Sequence, residues 1–357
     1  MKATILPSVL SGTIEAIASK SQAHRLLICA ALADRETRIR CSPLSADIRA
    51  TADCLAALGA GIAYENGVFT VRPLDVNDMP RRACIDVGES GSTLRFLLPV
   101  VCALGAETDI HLHGRLPDRP LSPLWEELER HGAVLTRPAD DIIHAAAGRL
   151  TGGEYTLAAN ISSQFISGLL FALPLTGENC RIRLTGTLGS ASYLDMTVRA
   201  LNAFGIACPF ADNAYSVPGG QAYSSPGEAS VEGDWSNGAF WICADRILGG
   251  TLSIVGLDPS SPQGDRAAEK TSLRIAAGSA VVDARDIPDL IPVLSVLAAV
   301  SPGETRFTNA GRLRLKESDR LVSTAGLISA LGGKVRELED GLVITGVEQL
   351  AGGGIAD

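Results

Sequence analysis

None of the eight cysteines, at positions 29, 41, 54, 84, 102, 180, 208 and 243, stands in a CxxC pair. Their scatter fits neither a zinc site nor the disulfide framework of a small secreted domain, so most read as small core residues. No run of Lys or Arg occurs, and a formal net charge of −9 argues against a nucleic-acid surface. Long apolar runs are missing too: each is broken by Gly, Pro or a polar residue well short of the roughly 18 residues that a membrane span needs. The opening Met1-Lys2-Ala3-Thr4-Ile5-Leu6-Pro7 has too short an apolar run for a secretory signal and no small-residue cleavage pattern behind it, which points to the cytoplasm. On so acidic a chain, an anionic ligand must be drawn by local arrangement.

What is present suffices for two domains. The chain has 357 residues, 46% hydrophobic and 20% charged, and a single core rarely grows beyond about 250–300 residues. One pattern recurs: an apolar residue, a Gly four positions later closing a helix, then two short alternating strands around a turn. Leu55 to Gly59 leads into Gly61–Val71, where Asn66-Gly67 marks a hairpin. Leu128 to Gly132, Leu201 to Gly205 and Ile328 to Gly332 open similar segments, the last with Asp340-Gly341 at its turn. The first three closing glycines, 59, 132 and 205, fall at equal intervals of 73 residues, and the longer gap to 332 leaves room for a degenerate unit near Arg266–Ala284. Three units up to about Tyr223 and two after it are therefore expected. The Gly/Pro/Ser-rich stretch from Val217 to Gly227 reads as the crossing between domains, ending at Glu232-Gly233-Asp234 where a new helix begins.

Several expected helices open with residues suited to anions, where free backbone N–H groups and the positive end of the dipole point outward. Ser19-Lys20-Ser21-Gln22-Ala23-His24-Arg25 offers a point charge, a hydroxyl and a guanidinium fork. Gly88-Glu89-Ser90-Gly91-Ser92-Thr93-Leu94-Arg95 follows a short strand, and its glycines permit close backbone approach, although no Gly-Lys-Ser/Thr of a Walker motif follows. Arg115-Leu116-Pro117-Asp118-Arg119-Pro120 sets two guanidinium groups in a stiff loop, while Ile161-Ser162-Ser163-Gln164 and Ser190-Ala191-Ser192-Tyr193 bring hydroxyls to further helix starts. In the second half, Asp286-Ile287-Pro288-Asp289 reads as a helix start whose dipole keeps Asp289 ionised, as a general base requires. Lys316-Glu317-Ser318-Asp319-Arg320 sets a cation, an acid and a guanidinium together, with Lys316 and Arg320 one helical turn apart. Each segment alone has a plain reading as a capped helix or a solvated charged face. Their number favours an anion cradle.

Together and in this order, from Lys20 to about Thr345, these segments resemble the EPSP synthase family, most closely its bacterial members in Gly-Glu-Ser-Gly-Ser-Thr-Leu-Arg and Lys-Glu-Ser-Asp-Arg-Leu. The resemblance implies an α/β fold of two inverted α/β barrel domains built from helix-and-sheet repeats. The first would be 20–230 with three repeats, and the second 1–19 plus 231–357 with about two of three. It implies transfer of the enolpyruvyl group of phosphoenolpyruvate to the 5-hydroxyl of shikimate-3-phosphate, in aromatic amino acid biosynthesis. By the same resemblance, shikimate-3-phosphate would be held by Lys20, Ser21, Arg25, Ser162, Ser163, Gln164, Ser190, Tyr193, Asp289 and Lys316, and phosphoenolpyruvate by Lys20, Gly91, Arg119, Gln164 and Arg320. Asp289 would act as base, Glu317 in proton transfer at the methylene carbon, and Lys20 beside both substrates. The family needs no metal or organic cofactor, and a monomer is implied, with no nucleic-acid or membrane partner.

Two departures bear on this. The family's last repeat carries an Asp-His-Arg segment and a late Lys at the donor, whereas this sequence runs to Gly353-Gly354-Ile355-Ala356-Asp357 without them. A truncated chain that binds shikimate-3-phosphate without turnover is therefore one alternative. Arg312 stands where some members have a substrate-binding Asn, and it is left out of the expected site. The other alternative, a UDP-N-acetylglucosamine carboxyvinyltransferase, is disfavoured, because that sister family has Lys-Asn at Lys20-Ser21 and a reactive Cys in the 115–120 loop.

Overall fold

The computed structural model describes residues 9–159, 161–186 and 189–351, so Met1–Pro7 and Gly353–Asp357 lie outside the described residues. After β1 (Gly12–Glu15), a first unit comprises α1 (Lys20–Ala31), β2 (Thr37–Arg40), α2 (Ala46–Ala57), β3 (Gly61–Glu65) and β4 (Val68–Arg72). A second comprises β5 (Arg82–Asp86), α3 (Gly91–Leu104), β6 (Glu107–His111), α4 (Leu124–Arg130), β7 (Leu135–Ala139) and β8 (Ile142–Ala145). A third runs through β9 (Gly153–Ala158), α5 (Ser163–Ala172), β10 (Cys180–Thr185), α6 (Ala191–Ala203), β11 (Phe210–Ala211) and β12 (Ala214–Val217). Then follow β13 (Glu228–Ser230), α7 (Trp235–Leu248), β14 (Leu252–Val255), α8 (Ala268–Ala276), β15 (Ala280–Asp283), α9 (Ile291–Ala299), β16 (Glu304–Thr308), α10 (Arg320–Ala330), β17 (Lys334–Leu338) and β18 (Gly341–Thr345).

Four sheets share one plan, in which a parallel strand pair is extended by an antiparallel hairpin: β5-β6-β8-β7, β9-β10-β12-β11, β15-β16-β18-β17 and β13-β2-β4-β3. In the last, the parallel partner of β2 comes from far along the chain. The helix-closing glycines do what their positions suggest: Gly59, Gly132, Gly205 and Gly332 all have positive φ. The degenerate unit near Arg266–Ala284 does not form a hairpin. Only residues 284–287 separate β15 from the turn at Pro288, too few for a second strand, and β15 instead pairs parallel with β16. Its neighbour is a two-stranded sheet in which β1 pairs parallel with β14.

Each unit of the first core supplies one helix buried nearly all round, α1, α3 or α5, and one with an exposed face. Pro99 within α3 has no N–H to donate to the Arg95 carbonyl one turn back. The space over that carbonyl is taken by α5, where a Cβ on Gly168 would lie 2.1 Å from Arg95 O, so only glycine lets the two helices approach. This contact sets α5 beside Arg95, a residue of the site. A large-to-small change here, such as Leu97→Ala at a wholly buried position, is expected to cost about 2–5 kcal/mol.

The described hydrophobic residues form two clusters, one extending from Ala18 to Tyr223 and one from Trp235 to Ile344. The chain passes between them twice, at residues 16–19 and 231–234, and the passages lie side by side: Ser19 N donates to Glu232 O and Asp234 N to Ile17 O, both at 2.8 Å. The segment from Val217 to Gly227 therefore does not cross. Tyr223 is buried in the first cluster with its hydroxyl donating to Phe171 O at 2.7 Å, and β13 completes the first sheet before the crossing. Seven cysteines are buried, Cys84 is exposed, and all are free. Among the described residues no helix is long and apolar enough to cross a membrane.

Candidate active site

The starts of α1, α2, α3, α5, α6, α7 and α10, with the turn before α9, converge on one cavity of about 540 Å³. Every residue named above as a candidate for catalysis or substrate binding lines it. Local sequence explains why the helices start there: Ser45, Ser90, Ser162, Asp234 and Asp319 each cap a helix through the side chain. Ser190 does not. It adopts a left-handed conformation (φ 59°) and makes no side-chain cap bond, which leaves its hydroxyl free for other partners.

On the first-core side, Arg25 is 2% exposed and held by three oxygens: Nε donates to Thr197 Oγ1 (2.9 Å), NH1 to Ser21 O (2.5 Å) and NH2 to Tyr193 O (2.9 Å). Two of its five N–H groups remain for a ligand, a fork suited to a carboxylate. Burial pulls the group down only to about 10, so it stays cationic at neutral pH. Lys20 pairs with Asp47 at 2.9 Å, and its backbone N–H reaches Asp234 Oδ2 at 3.1 Å. Burial would lower the Lys20 ammonium, but Asp47 outweighs it and the value is raised. His24, given no role from sequence, is wholly buried and bonds Thr51 at 2.6 Å.

Gly91, Arg95, Gln164 and Arg119 form a second group. Arg95 NH1 donates to Gln164 Oε1 at 3.1 Å, and Gln164 Nε2 to Ser92 Oγ at 2.8 Å, which fixes the amide. Gly91 must be glycine for these cations to stand where they do: an added Cβ would lie 2.5 Å from Arg95 NH1 and 2.7 Å from Arg119 NH1. Burial pulls the Arg95 guanidinium down to about 9. The Nε atoms of Arg95 and Arg119 are buried without a partner among the described residues.

Asp289 lies where the two cores face each other. Tyr193 OH donates to its Oδ2 at 2.7 Å, Arg320 NH1 to its Oδ1 at 2.6 Å, and Lys316 Nζ is 3.7 Å from Oδ1. Burial alone would raise this carboxyl, but Lys316, Arg320 and the Tyr193 hydroxyl together hold it well below the usual carboxylate range. The sequence-level reason, a helix dipole, is thus replaced by two cations, because Asp289 sits in a 3-10 turn and α9 begins only at Ile291. Lys316 and Arg320 are likewise not one turn apart on a helix. Lys316 is extended and α10 starts at Arg320, with Asp319 accepting from the Leu321 and Val322 N–H groups. Glu317 bridges Arg320 (2.9 Å) and Arg119 (3.4 Å); against its burial, its own backbone N–H and these cations bring it down to about 2.

Residues outside the expected set also line the cavity: Asp47, Arg95, Asp234 and Arg312. Asp47 and Asp234 look like ordinary first-turn and cap acids in sequence, and only the fold sets them against Lys20. Seven cationic and four anionic side chains line the cavity, a local excess of positive charge on a chain whose net charge is −9. Such a cavity suits small molecules with several negative charges. Among the described residues no group of three or more His, Cys, Asp or Glu converges as a metal site.

Comparison with known proteins is consistent along the whole chain. The 3-phosphoshikimate 1-carboxyvinyltransferase of Clostridium perfringens (strain ATCC 13124) is 38% identical over 99% of this chain and 87% of that protein. The protein of the same name from Methanocorpusculum labreanum is 34% identical over 99% of this chain and 88% of its own length. In fold, the chain is similar to the EPSP synthase structure of Acinetobacter baumannii (TM-score 0.75, 22% identity, 97% of this chain and 84% of that one). It is also similar to the enolpyruvyl transferase NikO of Streptomyces tendae (TM-score 0.70, 18% identity, 94% and 82%). The family model for EPSP synthase (3-phosphoshikimate 1-carboxyvinyltransferase) matches residues 6–356, and the chain belongs to that family.

Proposed function

We propose that this protein transfers the enolpyruvyl group of phosphoenolpyruvate to the 5-hydroxyl of shikimate-3-phosphate, releasing inorganic phosphate. The observation that carries the reading is Asp289: a carboxylate kept ionised by Lys316 and Arg320, at the junction of a hydroxyl-rich half and an arginine-rich half of one cavity. We read residues 20–230 and 1–19 plus 231–357 as the two domains that bring these halves together, in a monomeric cytoplasmic enzyme.

The acceptor lies on the first domain, its carboxylate at Ser21 and Arg25, its ring beside Tyr193 and Gln164, and its phosphate among Ser162, Ser163, Ser190 and Lys316. The donor lies between Lys20, Gly91, Arg119, Gln164 and Arg320. Asp289 takes the proton of the 5-hydroxyl as its oxygen bonds to the central carbon of phosphoenolpyruvate, while the methylene carbon takes a proton from the Lys20 ammonium and becomes a methyl group. In the second step the bond from that central carbon to the phosphate oxygen breaks, and the methyl loses a proton, restoring the double bond. Glu317 near pH 2 is a carboxylate at neutral pH, so it is set to accept that second proton. Lys20 and the arginines stabilise the developing charge in a site that needs little reorganisation. Approach of the two domains over the bound substrates excludes water.

Thermal denaturation tests the acceptor half. Shikimate-3-phosphate at 100 times its dissociation constant stabilises the protein by about 2.7 kcal/mol, which is read as a rise in melting temperature; an unchanged melting temperature would remove the acceptor from this cavity.

A further inference from the structure

Asp265 has no part in the reaction as drawn, yet it is joined to the cavity. It stands in the 3-10 turn Gly264–Ala267 of the second core, is 3% exposed, and accepts from the hydroxyl of Ser236, which lines the cavity at the start of α7. Its Oδ1 is buried without a partner among the described residues. The turn is pinned to α7, since Trp235 N donates to Gln263 Oε1 at 3.0 Å and Gln263 Nε2 to Gly233 O at 2.8 Å. Asp234 faces the carboxyl from the cap of α7 and Asp289 from the turn before α9, and both repel its charge, whereas Lys316 attracts it. Tyr193 faces it from α6 as a neutral phenol, pushed well above its ordinary value by burial and then by Asp265 itself. Arg266, Glu269 and Lys270, its charged neighbours along the chain, are exposed.

A buried carboxylate with one hydroxyl partner, one bare oxygen and two acids against it gains from a proton. Burial first, and then Asp289, bring Asp265 up to about 7, against the pull of the Ser236 hydroxyl. The bond to Ser236 then has two senses. Ionised Asp265 takes the serine hydrogen and turns it away from any ligand; protonated Asp265 donates to Ser236 Oγ and frees that hydrogen for the cavity. We propose that Asp265 and Ser236 couple ligand binding to proton uptake: a phosphorylated carboxylate entering the cavity draws one proton from solvent onto Asp265, and the turned Ser236 hydroxyl donates to that ligand. Asp265 is a positioning residue that acts through Ser236. The proposal rests on the function proposed above for its ligand class, and deepens it.

The experiment is titration calorimetry of phosphoenolpyruvate and, separately, shikimate-3-phosphate into the wild type, Asp265→Asn and Ser236→Ala, in buffers of different ionisation enthalpy. Above about pH 7 a phosphate monoester is close to a dianion, so the ligand's own titration adds little. The wild type is expected to take up nearly one proton per ligand at about pH 8, with a dissociation constant that rises by up to about tenfold per pH unit above about 7. Asp265→Asn, whose amide donates to Ser236 at any pH, is expected to lose both effects and to bind roughly 3- to 10-fold more tightly than wild type at about pH 8. Ser236→Ala is expected to lose the uptake and to weaken the ligand roughly 3- to 10-fold at about pH 7. Binding by the wild type without proton uptake, or uptake that survives in either variant, would overturn the proposal. Proton-linked binding of phosphoenolpyruvate with no binding of shikimate-3-phosphate would keep the coupling and remove the proposed reaction; no binding of either ligand would remove both.

Discussion

Gly91→Ala probes the donor half of the cavity with a single methyl group. The new Cβ would fall 2.5 Å from Arg95 NH1 and 2.7 Å from Arg119 NH1, so both guanidinium tips must withdraw by roughly 1 Å to regain ordinary contact distance. The helix is not the casualty: Gly91 is the first residue of α3 and Ala is the better helix former, so stability is expected to hold within about 0.5 kcal/mol. What moves is the pair of cations. A misplacement of about 1 Å can cost about 100-fold, and weakening one charge-assisted hydrogen bond, about 1.5–3 kcal/mol, gives the same range. With phosphoenolpyruvate varied at saturating shikimate-3-phosphate, kcat/KM from initial rates of phosphate release is expected to fall roughly 10- to 100-fold. The dissociation constant of shikimate-3-phosphate, measured in parallel, is expected to stay within about twofold. An unchanged kcat/KM for phosphoenolpyruvate would mean that Arg119 does not hold the donor, and that the cavity is divided some other way.

Asp289→Asn keeps a hydrogen-bond acceptor for Tyr193 but cannot take a proton; kcat in single-turnover measurements is expected to fall about 10²- to 10⁴-fold, while acceptor affinity weakens by no more than about tenfold, and a kcat within tenfold of wild type would dismiss it as the base. Asp265 concerns stability: it is 3% exposed, bonded by the Ser236 hydroxyl, and raised to about 7, first by burial and then by repulsion from Asp289. The folded chain then binds a proton that the unfolded chain has released between about pH 4 and 7, so this group lowers stability progressively as pH rises through that window. Asp265→Asn retains an acceptor for Ser236 and removes the charge, so its melting temperature is expected to exceed that of wild type by a few degrees at pH 8, a gain that closes by pH 4.5; equal melting temperatures at pH 8 would contradict the buried repulsion.

Much of the fold was legible because its units are local. The closing glycines at 59, 132 and 205 carry positive φ, and a helix end followed by a two-residue hairpin is written within a few residues. What sequence could not supply was pairing at long range. β13 completes the sheet of β2, and β1 joins β14, in registers that no local pattern encodes. The same division runs through the site. Lys20, Gly91, Ser162, Ser190 and Arg320 stood out because each opens a helix with polar residues. Asp47 and Asp234 did not, since an acid at a helix start already has a sufficient local reason to be there. Arg312 was left out because it stands where some members of the family have an Asn, and only the approach of the two cores sets its guanidinium 2.7 Å from Ser190. The ionised state of Asp289 was anticipated but attributed to a dipole, because the convergence of Lys316 and Arg320 on it is a property of tertiary structure.

The central claim is the transfer itself, and it is tested most directly by incubating the protein with phosphoenolpyruvate and either shikimate-3-phosphate or UDP-N-acetylglucosamine, following inorganic phosphate and identifying the product by mass. The account predicts phosphate release and an enolpyruvyl ether with shikimate-3-phosphate and neither with the nucleotide sugar. Release with the nucleotide sugar alone, or with neither acceptor, would contradict it.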